Sequence, residues 1–199
     1  MAKSEKQKLK LLYIIQCLME KTDEEHAVTT QEIIDYLALQ GITAERKSIY
    51  TDIDLLIDFG MDIIKKPGRS GGYTLASRQF ELAELKLLVD AVQSSKFITT
   101  KKSRELIGKL ETLCSKYEAT QLHRQVVVTN RNKAVNENIY YNVDIIYNAI
   151  AENVKIQFQY FEWDVSKEMK LRRDGKICEV CPWLLTWDDE NYYLIAYDD

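Results

Sequence analysis

The spacing of hydrophobic residues along the first 75 positions predicts three helices followed by two short strands. Residues 4–20 predict a first helix that packs on more than one side, because its second half is apolar nearly all round. Thr29 and Glu32 have the spacing of a capping box, which predicts the N-terminus of a second helix. Gly41 suits the left-handed turn after a helix, so we expect the second helix to end near Gln40.

Apolar residues at helical spacing predict a third helix from Ala44 to Phe59, with Thr43 as its candidate N-cap. The residues of this helix expected in the core are Ile49, Ile53, Leu56 and Ile57. Residues 61–66 and 72–75 predict two strands around a glycine-rich tip. Three helices with a tight turn between the last two, and then a β-hairpin, are the layout of a winged helix-turn-helix. A small α+β module that binds protein instead of DNA has the same outline.

The next region, residues 78–138, is predicted to be mostly helical and then polar, as in a linker or dimerisation region. Two helices each carry an apolar stripe, and Thr99 or Thr100 is the candidate cap of the second. We expect these stripes to be buried against each other or against a second subunit. They comprise Leu82, Leu85, Leu88, Val89 and Val92 in the first helix, and Leu106, Ile107, Leu110, Leu113 and Tyr117 in the second.

The last 60 residues change from a helical period to a strand period. A helix over residues 139–152 is followed by alternating apolar and polar positions, which predict half-buried strands. Asp174 and Gly175 predict a hairpin turn, and Pro182 marks a strand edge or bulge. The predicted strands cover residues 154–161, 177–187 and 192–197, with a turn at residues 188–191.

Composition narrows the class of protein. The 199 residues suffice for one large domain or two to three small ones, and their net charge of −4 argues against a protein that coats nucleic acid non-specifically. Residues 1–80 carry 11 basic and 12 acidic side chains, so we expect modest non-specific DNA affinity and tight binding only as a dimer. No apolar run approaches the roughly 20 residues that span a bilayer, and no signal-peptide cleavage site is recognisable, so we expect a cytoplasmic protein without membrane contact.

Two patterns with catalytic or metal-binding associations are explained by structure instead. Cys178 and Cys181 form a C-x-x-C, but no histidine lies near them in sequence, and strand residues three apart point to opposite faces. Residues 68–72 fit the G-x-S-x-G pattern of serine hydrolases, which needs a strand before it and a helix after it. Here it falls at a hairpin tip. We therefore expect no metal, no cofactor and no enzymatic activity.

Two longer stretches match a known arrangement. Residues 45–56, followed by the Gly-Gly-Tyr-Thr-Leu of residues 71–75, look like a recognition helix and a glycine-rich wing. Residues 181–187, followed by Tyr192-Tyr193-Leu194, look like the segment that names the WYL domain, with Tyr in place of Trp. In this order the two stretches resemble bacterial transcriptional regulators with an N-terminal winged helix-turn-helix and a C-terminal WYL domain.

The resemblance implies an α+β chain with three regions. These are a winged helix-turn-helix DNA-binding domain at residues 1–77, a helical linker or dimerisation region at residues 78–138, and an Sm-like antiparallel WYL sensor domain at residues 139–199. Members of the family usually continue with a basic strand that contains arginine, whereas this chain stops at Asp199, so we expect an incomplete WYL domain. The implied function is a homodimeric regulator whose binding to a double-stranded operator is controlled by a sensed ligand. The alternative is an accessory module that modulates a nucleic-acid enzyme.

A winged helix places its third helix in the major groove and its wing against the backbone. The expected DNA contacts are polar or basic residues of the third helix, the start of the second helix and the wing. They are Arg46, Lys47, Ser48, Tyr50 and Thr51, then Thr29 and Thr30, and then Lys65, Lys66 and Arg69. A solvated helix face, plain helix caps and an exposed hairpin are the structural alternatives.

Basic and aromatic residues of the last region suit a nucleotide or a single-stranded nucleic acid. The candidate ligand-binding residues are Tyr160, Lys170, Arg172, Arg173, Trp183 and Tyr192, with the three aromatics expected on one sheet. Core packing of the aromatics and a solvated hairpin are the structural alternatives.

Overall fold

The computed structural model describes residues 3–68, 71–122, 133–134, 136–165 and 168–198. These residues fall into two compact units. Unit 1 contains the described residues within Met1–Ser94 and Ser103–Thr129, and unit 2 contains those within Ser95–Lys102 and Asn130–Asp199. Among the residues so described, no helix has both the length and the apolar character needed to cross a bilayer. The predicted α+β class is confirmed.

Unit 1 begins with helices and a hairpin in the predicted order. These elements are α1 (Lys3–Lys8), α2 (Lys10–Lys21), α3 (Thr30–Leu39), α4 (Arg46–Asp58), β1 (Ile63–Lys66) and β2 (Gly72–Leu75). The capping box of α3 is confirmed, because Thr29 Oγ1 accepts from Glu32 N at 3.2 Å and Glu32 Oε2 accepts from Thr29 N at 2.7 Å. Gly41 has a φ of +73°, as the predicted turn after α3 requires.

Two predicted helix boundaries in unit 1 are wrong. The first helix is interrupted at Leu9, whose N–H bonds to the carbonyl of Lys6 in a tight i→i−3 turn at 3.1 Å. The third helix starts at Arg46 instead of Ala44, because Glu45 has an extended backbone and takes the N-cap position. Thr43 is therefore no cap, and its carbonyl oxygen accepts a hydrogen bond from Gln7.

The core of unit 1 is made by the inward faces of α2, α3 and α4 together with the hairpin. Its fully buried side chains include Ile14, Leu18, Ile33, Leu37, Ile49 and Ile53. Val28 forms an isolated antiparallel β-bridge with Tyr73 of β2 through two backbone hydrogen bonds of 3.0 and 2.8 Å, and this bridge ties the loop after α2 to the hairpin. Thr22 Oγ1 accepts from Leu75 N at 3.0 Å and so joins β2 to the end of α2.

In the region predicted to be helical, the described residues form three further helices. They are α5 (Leu82–Ser94), α6 (Thr100–Glu111) and α7 (Lys116–Leu122), and α6 runs across the boundary between the units. Thr99 caps α6, since its Oγ1 accepts from Lys102 N at 3.1 Å. Tyr117 lies in α7 and not in the predicted second helix, because Ser115 and Glu118 form a reciprocal pair of N-terminal hydrogen bonds of 3.0 and 3.1 Å that starts a new helix.

The second core cluster of unit 1 lies between α5 and the α6–α7 connection. Leu85, Val89, Cys114 and Leu122 are buried there. Leu88, which belongs to the same predicted stripe, is 38% exposed, so only part of the stripe faces this core.

In its described residues, unit 2 adds the helix α8 and several antiparallel strands to the start of α6. Its elements are α8 (Ile139–Glu152), β3 (Ile156–Phe158), β4 (Phe161–Trp163), β5 (Met169–Leu171), β6 (Cys178–Asp188) and β7 (Asn191–Asp198). One sheet has the strand order β3-β6-β7, and β4 pairs with β5 in a separate two-stranded sheet. The predicted α8 and the long β6–β7 hairpin are confirmed.

Two details of the β6–β7 ladder were predicted correctly. Of the edge and the bulge that Pro182 predicted, the bulge is present, because the register shifts between Pro182 and Leu184 and β6 lies between β3 and β7. Asp189 and Glu190 form the tight turn, and both have positive φ, as a two-residue hairpin with the twist of its strands requires.

The predicted hairpin turn at Asp174 and Gly175 is wrong. Arg172–Gly175 forms a 3-10 turn that connects β5 to β6, and these two strands lie in different sheets. The reason is that β5 already pairs with the preceding strand, β4, in an antiparallel ladder in which Phe161 lies opposite Leu171. The predicted strand over residues 154–161 is likewise divided between β3 and the start of β4.

Candidate nucleic-acid interface

Helix α4 has one face in the core and one face in solvent. Ile49, Ile53 and Leu56 are at most 4% exposed, which confirms the predicted inward face. The opposite face presents polar and basic side chains, as the helical period requires. The exposed residues on this side include Arg46, Lys47, Tyr50, Thr51 and Asp54.

An ion pair that the sequence analysis missed anchors α4 to α2. Lys10 Nζ lies 2.7 Å from Asp52 Oδ2, and the two side chains are only 15% and 10% exposed. The same ammonium donates to Ser48 Oγ at 2.6 Å. Ser48 is thereby half-buried and turned toward α2, so its hydroxyl is engaged within the protein. The available signal was Asp52 itself, an acidic residue on the apolar side of the helix between Ile49 and Ile53.

The first turn of α4 is connected to the first turn of α3. Arg46 Nη2 donates to Gln31 Oε1 at 3.3 Å, an exposed contact between the two helices. Thr51 Oγ1 donates to the carbonyl oxygen of Lys47 at 3.3 Å, one helical turn back. Within the part of the chain that the structure describes, the Lys47 ammonium forms no ion pair, and it is free to meet an external anion.

The two threonines at the start of α3 differ in their engagement. The Thr29 hydroxyl accepts from Glu32 N and also donates to Glu32 Oε2 at 2.9 Å, so its hydrogen-bonding capacity is used in the cap. The Glu32 carboxylate accepts from Thr29 N and so supplies the negative charge that the N-terminus of a helix favours. Thr30 is the first residue of α3 and is half-buried. The geometry therefore supports a capping role for Thr29.

The hairpin brings two of its predicted basic contacts close to acceptors of unit 1. Lys65 forms an exposed ion pair with Asp54 of α4, and the hydrogen bond that its ammonium donates to the Asp54 carboxylate raises the pKa of Lys65 above its ordinary value. Lys66 Nζ donates to the carbonyl oxygen of Glu24 at 3.1 Å. Arg69 lies outside the described residues. The hairpin thus places Lys65 next to α4.

The basic candidates of unit 2 line the β4–β5 sheet and its exit turn. Lys170 Nζ pairs with Asp164 at 2.9 Å, and Arg172 Nε pairs with Glu162 at 3.3 Å. Arg173 has a φ of +52° in the 3-10 turn and is exposed. Two of the three cations are therefore partly neutralised by carboxylates in β4 or directly after it.

The expectation that the three aromatic candidates share one sheet is wrong. Tyr160 lies between β3 and β4, where its ring meets Phe158 edge-on at 5.0 Å. Trp183 is 65% exposed and stacks on Tyr197, with the ring centroids 6.4 Å apart. Tyr192 lies at the other end of β7.

Tyr192 also belongs to the opposite face of that strand. The Tyr192 ring packs against Phe97 and Trp187, with ring centroids 5.0 and 4.6 Å apart, and it is half-buried. Successive side chains of a strand alternate between its faces, so Tyr197, five residues further on, lies on the other face, where it is exposed. The aromatic candidates therefore do not converge on a single ligand.

The described residues contain no group of three or more His, Cys, Asp or Glu side chains that is arranged to hold a metal ion. Cys178 and Cys181 are half-buried, unpaired thiols of β6. Cys178 lies opposite Phe158 of β3, and Cys181 lies opposite Tyr197 of β7.

Comparison with known proteins identifies the C-terminal part of the chain. Residues 141–199 match the family model of the WYL domain. The match covers α8 from its third residue and every strand of unit 2, so the WYL domain implied by the resemblance is confirmed there. A search of the curated proteins finds no match to the chain.

Proposed function

We propose that the chain is a DNA-binding transcriptional regulator in which the first part of unit 1 acts as a winged helix-turn-helix and the WYL domain senses a ligand. Helix α4 is then the recognition helix, α3 is the preceding helix of the motif, and the β1–β2 hairpin is the wing. This assignment combines the confirmed WYL domain with the geometry of unit 1.

The observation that carries the proposal is the two-sided character of α4. One face is fixed by three buried aliphatic residues and by the Lys10–Asp52 ion pair, so the helix is held rigidly. The other face presents Arg46 and Lys47 in the first turn, which is the part of a recognition helix that reaches base edges. A basic side chain there is suited to donate to guanine.

Electrostatics favour specific binding over non-specific coating. Among the described residues, Lys10 is paired with Asp52 and Lys65 with Asp54, whereas Arg46, Lys47 and Lys66 form no ion pair and are available to phosphates at once. Three phosphate contacts in each protomer of a dimer give a slope of about −5 for the logarithm of affinity against the logarithm of salt concentration. That is a moderate slope for a protein that binds specifically.

A dimer with a two-fold operator completes the proposal. Leu87 and Leu88 of α5 are 70% and 38% exposed, and Leu88 belongs to the stripe for which a second subunit was one of the two predicted partners. We propose that a cytoplasmic homodimer binds two half-sites and that a nucleotide or single-stranded nucleic acid at the WYL domain changes operator affinity. Light scattering measures the mass of the dimer directly.

The direct test selects DNA with the full chain. Random duplexes are enriched over several rounds, and the selected duplex is compared with a shuffled one by fluorescence polarisation at several salt concentrations. We expect the selected duplex to bind at least a hundredfold more tightly than the shuffled one. Titration of the complex with short single-stranded oligonucleotides then tests ligand control.

Matched variants locate the interface. Arg46→Ala combined with Lys47→Ala is expected to abolish specific binding. Lys101→Ala combined with Lys109→Ala removes the same charge from exposed positions of α6 and is expected to leave binding within a factor of two. Equal losses in the two double variants would mean that only net charge matters, and the absence of any sequence-selective, salt-sensitive binding would refute the proposal.

A second candidate function rests on the exposed apolar face of the β6–β7 hairpin. Trp183, Ile195 and Tyr197 are 65%, 46% and 53% exposed there. Such a face suits an accessory module that contacts a nucleic-acid enzyme through the WYL domain. This alternative predicts that partner binding survives in the Arg46 and Lys47 double variant, whereas the regulator predicts loss of function in that variant.

A further inference from the structure

Unit 1 contains a cavity of about 780 Å³ on the face of the β1–β2 hairpin that points away from the core. Ile63 and Leu75 pair across the strands and belong to the core, so the next pair, Ile64 and Thr74, points to the opposite side and lines the cavity. The remaining walls come from the loop after α2, the segment before α5, and α7. The volume lies within the range of about 300–1,000 Å³ that is typical of small-molecule sites.

The wall of this cavity contains a polar group without a partner. Thr74 is 3% exposed, and its hydroxyl makes no hydrogen bond to any residue that the structure describes. Buried hydroxyls in native proteins nearly always have a partner, and an unsatisfied one is unfavourable. A bound molecule with a polar group at this position would supply the missing hydrogen bond.

The charges around the cavity are unbalanced. Its lining holds two long basic side chains, Arg78 and Lys66, which donate to backbone carbonyl oxygens and keep their charges. Against them stand five carboxylates, those of Asp23, Glu24, Glu25, Glu81 and Glu118. The lining carboxylates that form no ion pair or side-chain hydrogen bond in the described part of the chain are Glu24, Glu25 and Glu81. The potential at the cavity therefore favours a cation.

The same cavity also offers surface for an apolar body. Ile64, Phe80 and Leu82 line it, and His26 stacks on Tyr117 in its wall with ring centroids 3.8 Å apart and an interplanar angle of 9°. Aromatic and aliphatic walls with a few polar groups are the usual composition of a site for an organic molecule.

We propose that this cavity binds a small organic cation, with its ammonium or guanidinium group near Glu25 and Glu81, its apolar body against Ile64 and Phe80, and a hydrogen bond to Thr74. The site lies in unit 1 and is separate from the ligand site proposed for the WYL domain. It does not depend on DNA binding, so each proposal can fail without the other.

Three probes that share an indole ring and differ in charge test the preference for a cation. They are tryptamine, which is cationic, indole-3-ethanol, which is neutral, and indole-3-acetate, which is anionic. Each is titrated into the full chain, and the amide resonances are followed by NMR. We expect tryptamine to bind at least tenfold more tightly than indole-3-acetate and to shift the resonances of Ile64, Thr74 and Leu82. Equal affinities, or shifts confined to other residues, would overturn the proposal.

Two sets of variants separate charge from hydrogen bonding. Glu25→Gln combined with Glu81→Gln is expected to weaken tryptamine at least fivefold and to leave indole-3-ethanol unchanged, whereas Glu45→Gln, an exposed control on α4, has no effect. Thr74→Val keeps the shape of the side chain and is expected to weaken tryptamine about threefold. Glu25 and Glu81 are exposed, so we expect their double variant to fold, and it tests the proposal even if Thr74→Val does not fold. Unchanged tryptamine affinity in the acidic double variant would refute the assigned cation site.

Discussion

Replacing Lys10 by Met tests whether the ion pair between α2 and α4 holds α4 in place. Met preserves most of the aliphatic packing of Lys10 but removes the ammonium, which contacts Asp52 at 2.7 Å and Ser48 at 2.6 Å. The Asp52 side chain is only 10% exposed, so the change leaves a largely buried carboxylate without its counter-charge. Breaking a fully buried pair from one side costs about 3–5 kcal/mol. Because water reaches the 15% exposed Lys10, we expect a loss of about 2–3 kcal/mol, or roughly 30- to 160-fold in the folding equilibrium.

Urea denaturation followed by circular dichroism at 222 nm measures this loss. All three tryptophans, Trp163, Trp183 and Trp187, belong to unit 2, so tryptophan fluorescence reports that unit in the same samples. Lys8→Met is the matched control, since Lys8 is exposed on α1. The double variant Lys10→Met with Asp52→Leu removes both charges and is expected to recover most of the loss. If Lys10→Met costs no more than Lys8→Met, the pair does not stabilise unit 1 and the reasoning is refuted.

Three further predictions concern unit 1 and the thiols. Burial raises the pKa of Asp23, but hydrogen bonds from Ser115 and His26 outweigh burial and hold the pKa below its ordinary value. This stabilisation is complete above about pH 4 and is lost as pH falls through the folded-state pKa. Ser115→Ala should therefore weaken the decrease of Tm at acid pH, and an unchanged decrease would contradict this reasoning. Burial raises the pKa of Cys17 and Cys114 to about 11, so a thiol reagent at pH 8 should modify Cys178 and Cys181 first, and four equally fast thiols would count against the core placement. A Cβ at Gly72 would collide with the carbonyl oxygen of Val28, so Gly72→Ala should lower stability by about 1–3 kcal/mol, whereas Gly108→Ala in α6, where space is open, should raise it; equal effects on the urea midpoint would refute the close approach.

Local chemistry explains what the sequence could predict. The Thr29–Glu32 capping box, the bulge at Pro182 and the turn at Asp189 and Glu190 depend on neighbours within a few residues, and all three were predicted correctly. The inward face of α4 was also predictable, because the helical period assigns residues to faces without knowledge of their partners.

Contacts between distant segments were not predictable in this way. Asp52 carries a visible signal, but nothing local identifies Lys10 as its partner, since the two residues lie 42 positions apart. The arrangement of the aromatic candidates in unit 2 was unpredictable for a related reason. Trp183 and Tyr192 lie on one sheet, as expected, but the strand parity and the bulge after Pro182 place the two rings on opposite faces and at opposite ends.

The exposed pair of Lys65 and Asp54 has a consequence for how the proposed complex would discriminate among DNA sequences. When Lys65 binds a DNA phosphate, the Asp54 carboxylate loses its cationic partner while it faces the negatively charged DNA. A base that offers an amino group to the major groove, as cytosine does through N4, compensates that carboxylate, and thymine does not. The pair would then penalise duplexes that place a base acceptor opposite Asp54 and spare those that place an amino group there, so that an acidic side chain contributes to the choice of operator by what it rejects.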